Sequence, residues 1–347
     1  MRHPIRSFAI LLWLWAAVVA GVRAADHADL PPSHSITPEL AATGFEFAEG
    51  PALNAAGDLF VVNYRYIGTI GRIARDGTAG VFCDLGKILP VEGRQARANG
   101  LKLDSQNRLI AADSGAGRLL QIAADGRQAE VLADRWQGKR FNSINDVALD
   151  RAGNIYFTDP GESTVRNPIG AVYRYDVGTT KVSRVASDMA YPNGLAVTPD
   201  QKHLCVGESR RYRLHIFDIQ RDGTLRNQRV LIDFPTETRG EIIGGLTSPD
   251  GMIFDAAGRL YVAMWTGGVI DVVEVPSGKL IRQYDAGGDR ATNCHFHNGY
   301  LYTTVAAKEA VFRLNLEVEG FDYNGQINSK ASAEGPPAPA RRRTGGG

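Results

Sequence analysis

The chain has 347 residues, 44% of them hydrophobic, enough to bury a large core. Its 39 Lys and Arg nearly cancel its 38 Asp and Glu, so there is neither the basic excess of a nucleic-acid binder nor an acidic tail. Three cysteines, Cys83, Cys205 and Cys294, lie far apart and form no Cys-x-x-Cys pair. An odd number leaves at least one thiol unpaired within the chain and allows one disulfide, whose pairing the sequence does not choose.

In chain order, the first element is a leader. Arg2 and Arg6 precede an apolar run from Phe8 to Val22, and Val22-Arg23-Ala24 places small residues at a cleavage site. This is a secretory pattern, with residues 1–24 as signal peptide, cleavage after Ala24 and a periplasmic or secreted product. The apolar run is short for a membrane span, and nothing later reads as one, so no membrane contact is expected after cleavage. Residues 25–39, with Pro31 to Ser35 inside them, read as a linker. Residues 329–347 are rich in Pro, Ala, Gly and Arg and read as a disordered tail.

Between these ends one pattern recurs. Asp250-Gly251-Met252-Ile253-Phe254-Asp255-Ala256-Ala257-Gly258-Arg259-Leu260-Tyr261-Val262 reads as a short apolar strand, an Asp-Ala-Ala-Gly turn and a second strand. Variants begin at Glu49, Asn99, Asn145, Asn193 and Asn293. The steps from head to head are 50, 46, 48, 57 and 43 residues, the length of a four-stranded propeller blade. Further strands between the heads carry Asp76-Gly77, Asp125-Gly126 and Asp222-Gly223, which are hairpin turns. No long amphipathic helix is evident. Residues 40–328 are therefore expected to form an all-β, six-bladed β-propeller.

In a propeller, equivalent inner-strand positions surround one axis. The heads Glu49, Asn99, Asn145, Asn193, Asp250 and Asn293 would then converge as two carboxylates and four amides. Buried carboxylates need a compensating cation or protons. Oxygen donors of this mixture suit calcium best, with Zn, Mg or Mn as alternatives. A single Asn-Gly is an ordinary turn, but turn chemistry does not account for Glu49 or for six polar heads in register. His295 and His297 share one strand face at a zinc-like spacing, without a third His or Cys to complete a site. No Gly-x-Ser-x-Gly elbow or dinucleotide fingerprint is present.

Glu49-Gly50-Pro51, Asn145-Asp146, Pro192-Asn193-Gly194-Leu195-Ala196-Val197-Thr198-Pro199-Asp200, Pro249-Asp250-Gly251, Ala263-Met264-Trp265 and Thr292-Asn293 together resemble the SMP-30/gluconolactonase/LRE-like family. The resemblance covers residues 40 to 317 and extends to the diisopropylfluorophosphatase and paraoxonase propellers. It implies one divalent metal in the central channel held by Glu49, Asn193 and Asp250, with Asn145 as a fourth ligand or a substrate contact. It also implies Asp250 as general base, or as nucleophile in phosphotriester chemistry. For Asp146 two roles are open: to stand behind the ligands and orient the Asn145 amide, or to cap the strand turn. Asn99, Asn293 and Arg140 would contact substrate, with Arg94, Arg97, Lys139, Tyr64 and Trp265 as further loop candidates. Ile253 stands where relatives of the squid type carry an acidic ligand to a second calcium, so one metal is expected. The implied activity is metal-dependent hydrolysis of a small lactone or related ester by a monomer or small homo-oligomer. The alternatives are a phosphotriesterase-like hydrolase and a non-catalytic propeller that binds a ligand or protein.

Overall fold

The computed structural model describes residues 27, 29–238, 242, 244–245 and 247–325. The leader expected at 1–24 and the tail expected at 329–347 lie outside them. Six four-stranded antiparallel sheets stand around a central axis. Their innermost strands are Phe45–Leu53, Ala98–Leu103, Val147–Leu149, Pro192–Val197, Pro249–Phe254 and Ala291–His297, for blades 1 to 6. Each touches the next, and the sixth touches the first, so the ring is closed. Six apolar clusters fill the wedges between and within the blades.

The Asp-x-x-Gly turns explain why inner strands and their neighbours form hairpins. In blade 5 the Asp255 carboxylate accepts from the Arg259 amide at 2.8 Å, and Gly258 takes a φ of +85° that a side chain would resist. Asp104, Asp150 and Asn54 accept from the fourth residue onward in the same way.

Closure uses the two ends of the described chain. Glu39–Thr43 is the outermost strand of blade 6 and pairs with Ala310–Asn315, with Glu39 opposite Arg313 and Thr43 opposite Ala310. The stretch just before it, read as part of a linker, is docked on blade 5. Leu30 is buried in a core cluster there, Arg259 pairs with Asp29 at 2.7 Å, and Tyr284 donates to the Pro31 carbonyl at 2.9 Å. At the other end, Phe321 and Tyr323 pack beneath the axis, where the Tyr323 hydroxyl accepts from the Leu103 amide at 3.4 Å. All three cysteines are buried and free.

The repeat heads sit inside the inner strands of five blades, and Asn145 just before the third, rather than ahead of every strand. Pairing register shifts at or beside the head in blades 1, 2, 4, 5 and 6, so the strand bulges as it passes the axis. The glycine that follows is a matter of space, not of turn chemistry. A Cβ on Gly194 would overlap the Asp250 carbonyl oxygen, and one on Gly251 would overlap the Asn293 side chain. Gly194→Ala should therefore cost about 2–3 kcal/mol, as overpacking against backbone does. Urea denaturation of the folded variant beside the parent chain measures it.

Candidate active site

The heads meet at the floor of a cavity of about 600 Å3 at one end of the axis. Glu49, Asn99, Asn145, Asn193 and Asp250 all line it. Asn293 does not. Its side chain is buried below the floor, bonded to Glu49, with its amide nitrogen 3.4 Å from the Asp146 carboxylate. The expected substrate contact is thus a brace between two carboxylates. Asp146 is also beneath the floor, where it accepts from the Val147 amide at 2.8 Å. Its side-chain bond runs to Asn293; no bond from its carboxylate to Asn145 is seen among the described residues.

Electrostatics at the floor are unfavourable without a cation. Burial, and then the negative charge of Asp146, push the Glu49 carboxyl up to about 8. Burial raises Asp250 well above the usual carboxylate range, with Glu49 and Asp146 adding to it, while a bond from Asn193 works the other way. Burial raises Asp146 as well. The oxygens of the Asn145 and Asn193 amides are buried and accept no hydrogen bond. Two orphaned acceptors beside two desolvated carboxylates form a donor set of oxygens alone, which a hard divalent cation satisfies. Among the described residues no three His, Cys, Asp or Glu side chains could hold a metal together, so a cation here must draw on the amides too. His295 and His297 do not supply a second centre. His295 is buried under the floor, 3.3 Å from the Tyr323 hydroxyl, and burial lowers it to about 3. His297 lies in an outer cleft beside Arg75.

The walls come from loops that enter the inner strands, and buried carboxylates hold three of these loops in the same way. Asp113, at the end of the second strand of blade 2, accepts from the Arg97 amide at 2.8 Å and pairs with buried Arg118. Asp159 of blade 3 accepts from the Asn142 and Ser143 amides at 3.0 and 2.8 Å. Glu208 of blade 4 accepts from the Ala190 amide at 2.6 Å and contacts Arg211 and His215. The side chains thus placed on the wall include Arg97, Ser143 and Tyr191, joined by Arg210, Tyr212 and Trp265. The Arg210 guanidinium lies 5.5 Å from the Tyr191 ring.

Arg140 is elsewhere. It is exposed on a two-stranded ribbon, Arg135–Trp136 against Lys139–Arg140, and does not line the cavity. The ribbon turns Arg140 outward, opposite Arg135, and Lys139 shares its exposure. Arg94 donates to the Ala116 carbonyl, and Tyr64 is buried in the core. Of the arginines considered from sequence, Arg97 alone reaches the cavity. Tyr191, Arg210 and Tyr212 were not legible, although the acid-serine pairs Asp113-Ser114 and Glu208-Ser209 mark two blade edges where both serines line the cavity.

A closed six-bladed ring with a polar, oxygen-rich pocket at the mouth of its channel defines a propeller with an axial ligand site. Residues 42–307 match the SMP-30/Gluconolactonase/LRE-like region, and the chain belongs to that family. It is 26% identical to a gluconolactonase of Zymomonas mobilis, over 81% of this chain and 82% of that one. It is 28% identical to the diisopropyl-fluorophosphatase of Loligo vulgaris, over 79% and 90%. Among solved structures, a Xanthomonas campestris gluconolactonase superposes with a TM-score of 0.64 at 26% identity, covering 83% of this chain and 97% of its own. The calcium-binding regucalcin of Agrobacterium tumefaciens shares the fold, with a TM-score of 0.68 at 20% identity over 84% and 97%.

Proposed function

We propose that this chain is a metal-dependent lactonase, a hydrolase that opens a small cyclic ester in the axial cavity. The observation that carries the reading is the pair of unpartnered amide oxygens, Asn145 and Asn193, beside the desolvated carboxylates of Glu49 and Asp250. Those four residues would hold a divalent cation, with calcium the best match to their oxygens. When bound, such a cation supplies Lewis acidity toward an ester carbonyl and makes water more acidic. The remaining work belongs to the chain. Asp250 accepts a proton from water as the water oxygen bonds to the carbonyl carbon, the ring C–O bond then breaks, and the proton held by Asp250 passes to the departing alkoxide to give the hydroxy acid. Asn99 offers its amide to a ring substituent, Arg97 and Arg210 offer guanidinium groups, and Trp265 offers an aromatic face. The similarity to gluconolactonases supports the lactone; the equal reach of the similarity to the squid phosphatase supports a phosphotriester as second reading.

The leader pattern at residues 1–24 supports export to the periplasm or medium. N-terminal sequencing of protein recovered outside the cytoplasm should begin at Ala25. For the activity, the purified protein is stripped with chelator and supplied with Ca, Mg, Mn or Zn, then offered a panel of sugar lactones, aliphatic lactones and phosphotriesters. Metal-restored turnover of a lactone is the expected result. Turnover of the phosphotriesters alone moves the reading to the second class. Metal binding without turnover of any ester leaves a binding propeller.

A further inference from the structure

One layer below the polar heads, the inner strands carry a second set of equivalent positions. They are Ala52, Lys102, Ala148, Ala196, Ile253 and His295, paired across their hairpins with Phe60, Ile110, Tyr156, Cys205, Tyr261 and Tyr302. Four are small or apolar, one is a histidine, and one is a lysine. Lys102 belongs to blade 2 and is 4% exposed. Its charge nevertheless acts on Glu49 of blade 1, Asp146 of blade 3, and Cys294 and His295 of blade 6. Its strand runs directly against the floor: the amide of Gly100, two residues before Lys102, donates to the Asn145 carbonyl at 2.9 Å, and a Cβ on Gly100 would overlap the Asp146 carboxylate, so the lysine is buried beside that carboxylate. Among the described residues it has no carboxylate within ion-pair distance of 4.0 Å. Below it, Tyr323 closes the channel against His295 and Leu103.

An unpaired ammonium is costly to bury unless it offsets charge nearby. Three carboxylates, those of Glu49, Asp146 and Asp250, share the floor and act on one another. Neutral His295, held by the Phe296 carbonyl at 2.9 Å, adds no second positive charge. We propose that Lys102 is a built-in counter-ion of the carboxylate floor, which partly neutralises it from below and weakens its hold on the divalent cation that binds from above. The inference rests on the metal reading of the cavity. Lys102 is in this sense a positioning and affinity-setting residue, with no contact to substrate.

Calorimetric titration of the chelator-stripped full chain with calcium chloride, and separately manganese chloride, tests it. Lys102→Met should bind calcium at least ten-fold more tightly than the parent, and the calcium-induced rise in Tm should grow accordingly. Lys102→Arg, which keeps the charge, should stay within about two-fold of the parent. A residue that merely supports packing would weaken binding when replaced, so the direction of the change separates the two roles. Lys102→Gln makes the same comparison if the Met variant does not fold. Unchanged or weaker calcium binding in a folded Met or Gln variant overturns the inference while leaving the metal reading intact. A parent chain that binds neither metal removes the metal reading and this inference with it.

Discussion

Asp250→Asn should lose about 10²–10⁴-fold in kcat/KM toward the lactone the parent chain hydrolyses, the range that positioned proton transfer contributes. The substitution keeps the shape of the side chain and the amide geometry of its neighbours, so the fold should survive. It removes the carboxylate that faces the cavity beside Asn193 and leaves Glu49 as the one ring carboxylate on the cavity wall. Two losses are therefore combined: a proton acceptor and a unit of negative charge toward the cation. Measuring kcat/KM at saturating calcium, with calcium affinity determined in parallel, separates them. If the variant is metal-loaded and turns over at close to the parent rate, Asp250 serves as a ligand and not as the base.

The metal-free protein should lose stability as pH rises through the range in which its buried floor carboxyls ionise. Glu49 has a folded value near 8 against an ordinary 4.5, and Asp146 and Asp250 move in the same direction. A carboxyl raised in the folded state contributes stability that is complete below the unfolded value and disappears as pH climbs through the folded one. The window for Glu49 thus runs from about 4.5 to about 8. A shift of one unit corresponds to about 1.4 kcal/mol, so the total is on the order of a few kcal/mol. In a propeller of this size that is a fall in Tm of roughly 5–10 °C for chelated protein between pH 5 and pH 8.5. Millimolar calcium should abolish the fall, because the cation binds the deprotonated carboxylates and releases their protons. Scanning calorimetry across that range, with and without chelator, gives the answer; a chelated protein equally stable at both ends would contradict the electrostatic account of the floor.

The propeller and most of its floor were legible because a blade is a local unit. Each hairpin states its own turn, as Asp255 to Gly258 does, and the head residues recur at blade length. Convergence of Glu49, Asn145, Asn193 and Asp250 then follows from symmetry. What symmetry could not carry was the departure of individual blades from it. Asn293 occupies the sixth head, yet it is already back in register opposite Thr304, where the heads of blades 2, 4 and 5 fall inside the shift, and its side chain lies under the floor. Arg140 is near Asn145 in sequence but sits on a separate ribbon that turns it outward. Lys102 follows Asn99 by three residues in an ordinary strand pattern, and only the closed ring shows that blades 1, 3 and 6 feel its charge. The wall residues Tyr191, Arg210 and Tyr212 depend on the contacts that Glu208 makes with the Ala190 amide and with Arg211, which no local motif encodes.

The pairing of Glu39–Thr43 with Ala310–Asn315 sets the order in which the molecule can be completed. Thr43 leaves the ribosome 267 residues before its partner Ala310, so five blades can assemble while the sixth still lacks three of its four strands. Until then the first strand is an unsatisfied edge, open to pairing with another nascent chain. Its Glu39, placed to meet Arg313, keeps a charge on that edge through the wait. A protein ending between residues 286 and 290 would hold five complete sheets and still be an open arc, without the strand whose Thr292 and Asn293 bond to Ala48 of blade 1 and to Asp146 of blade 3.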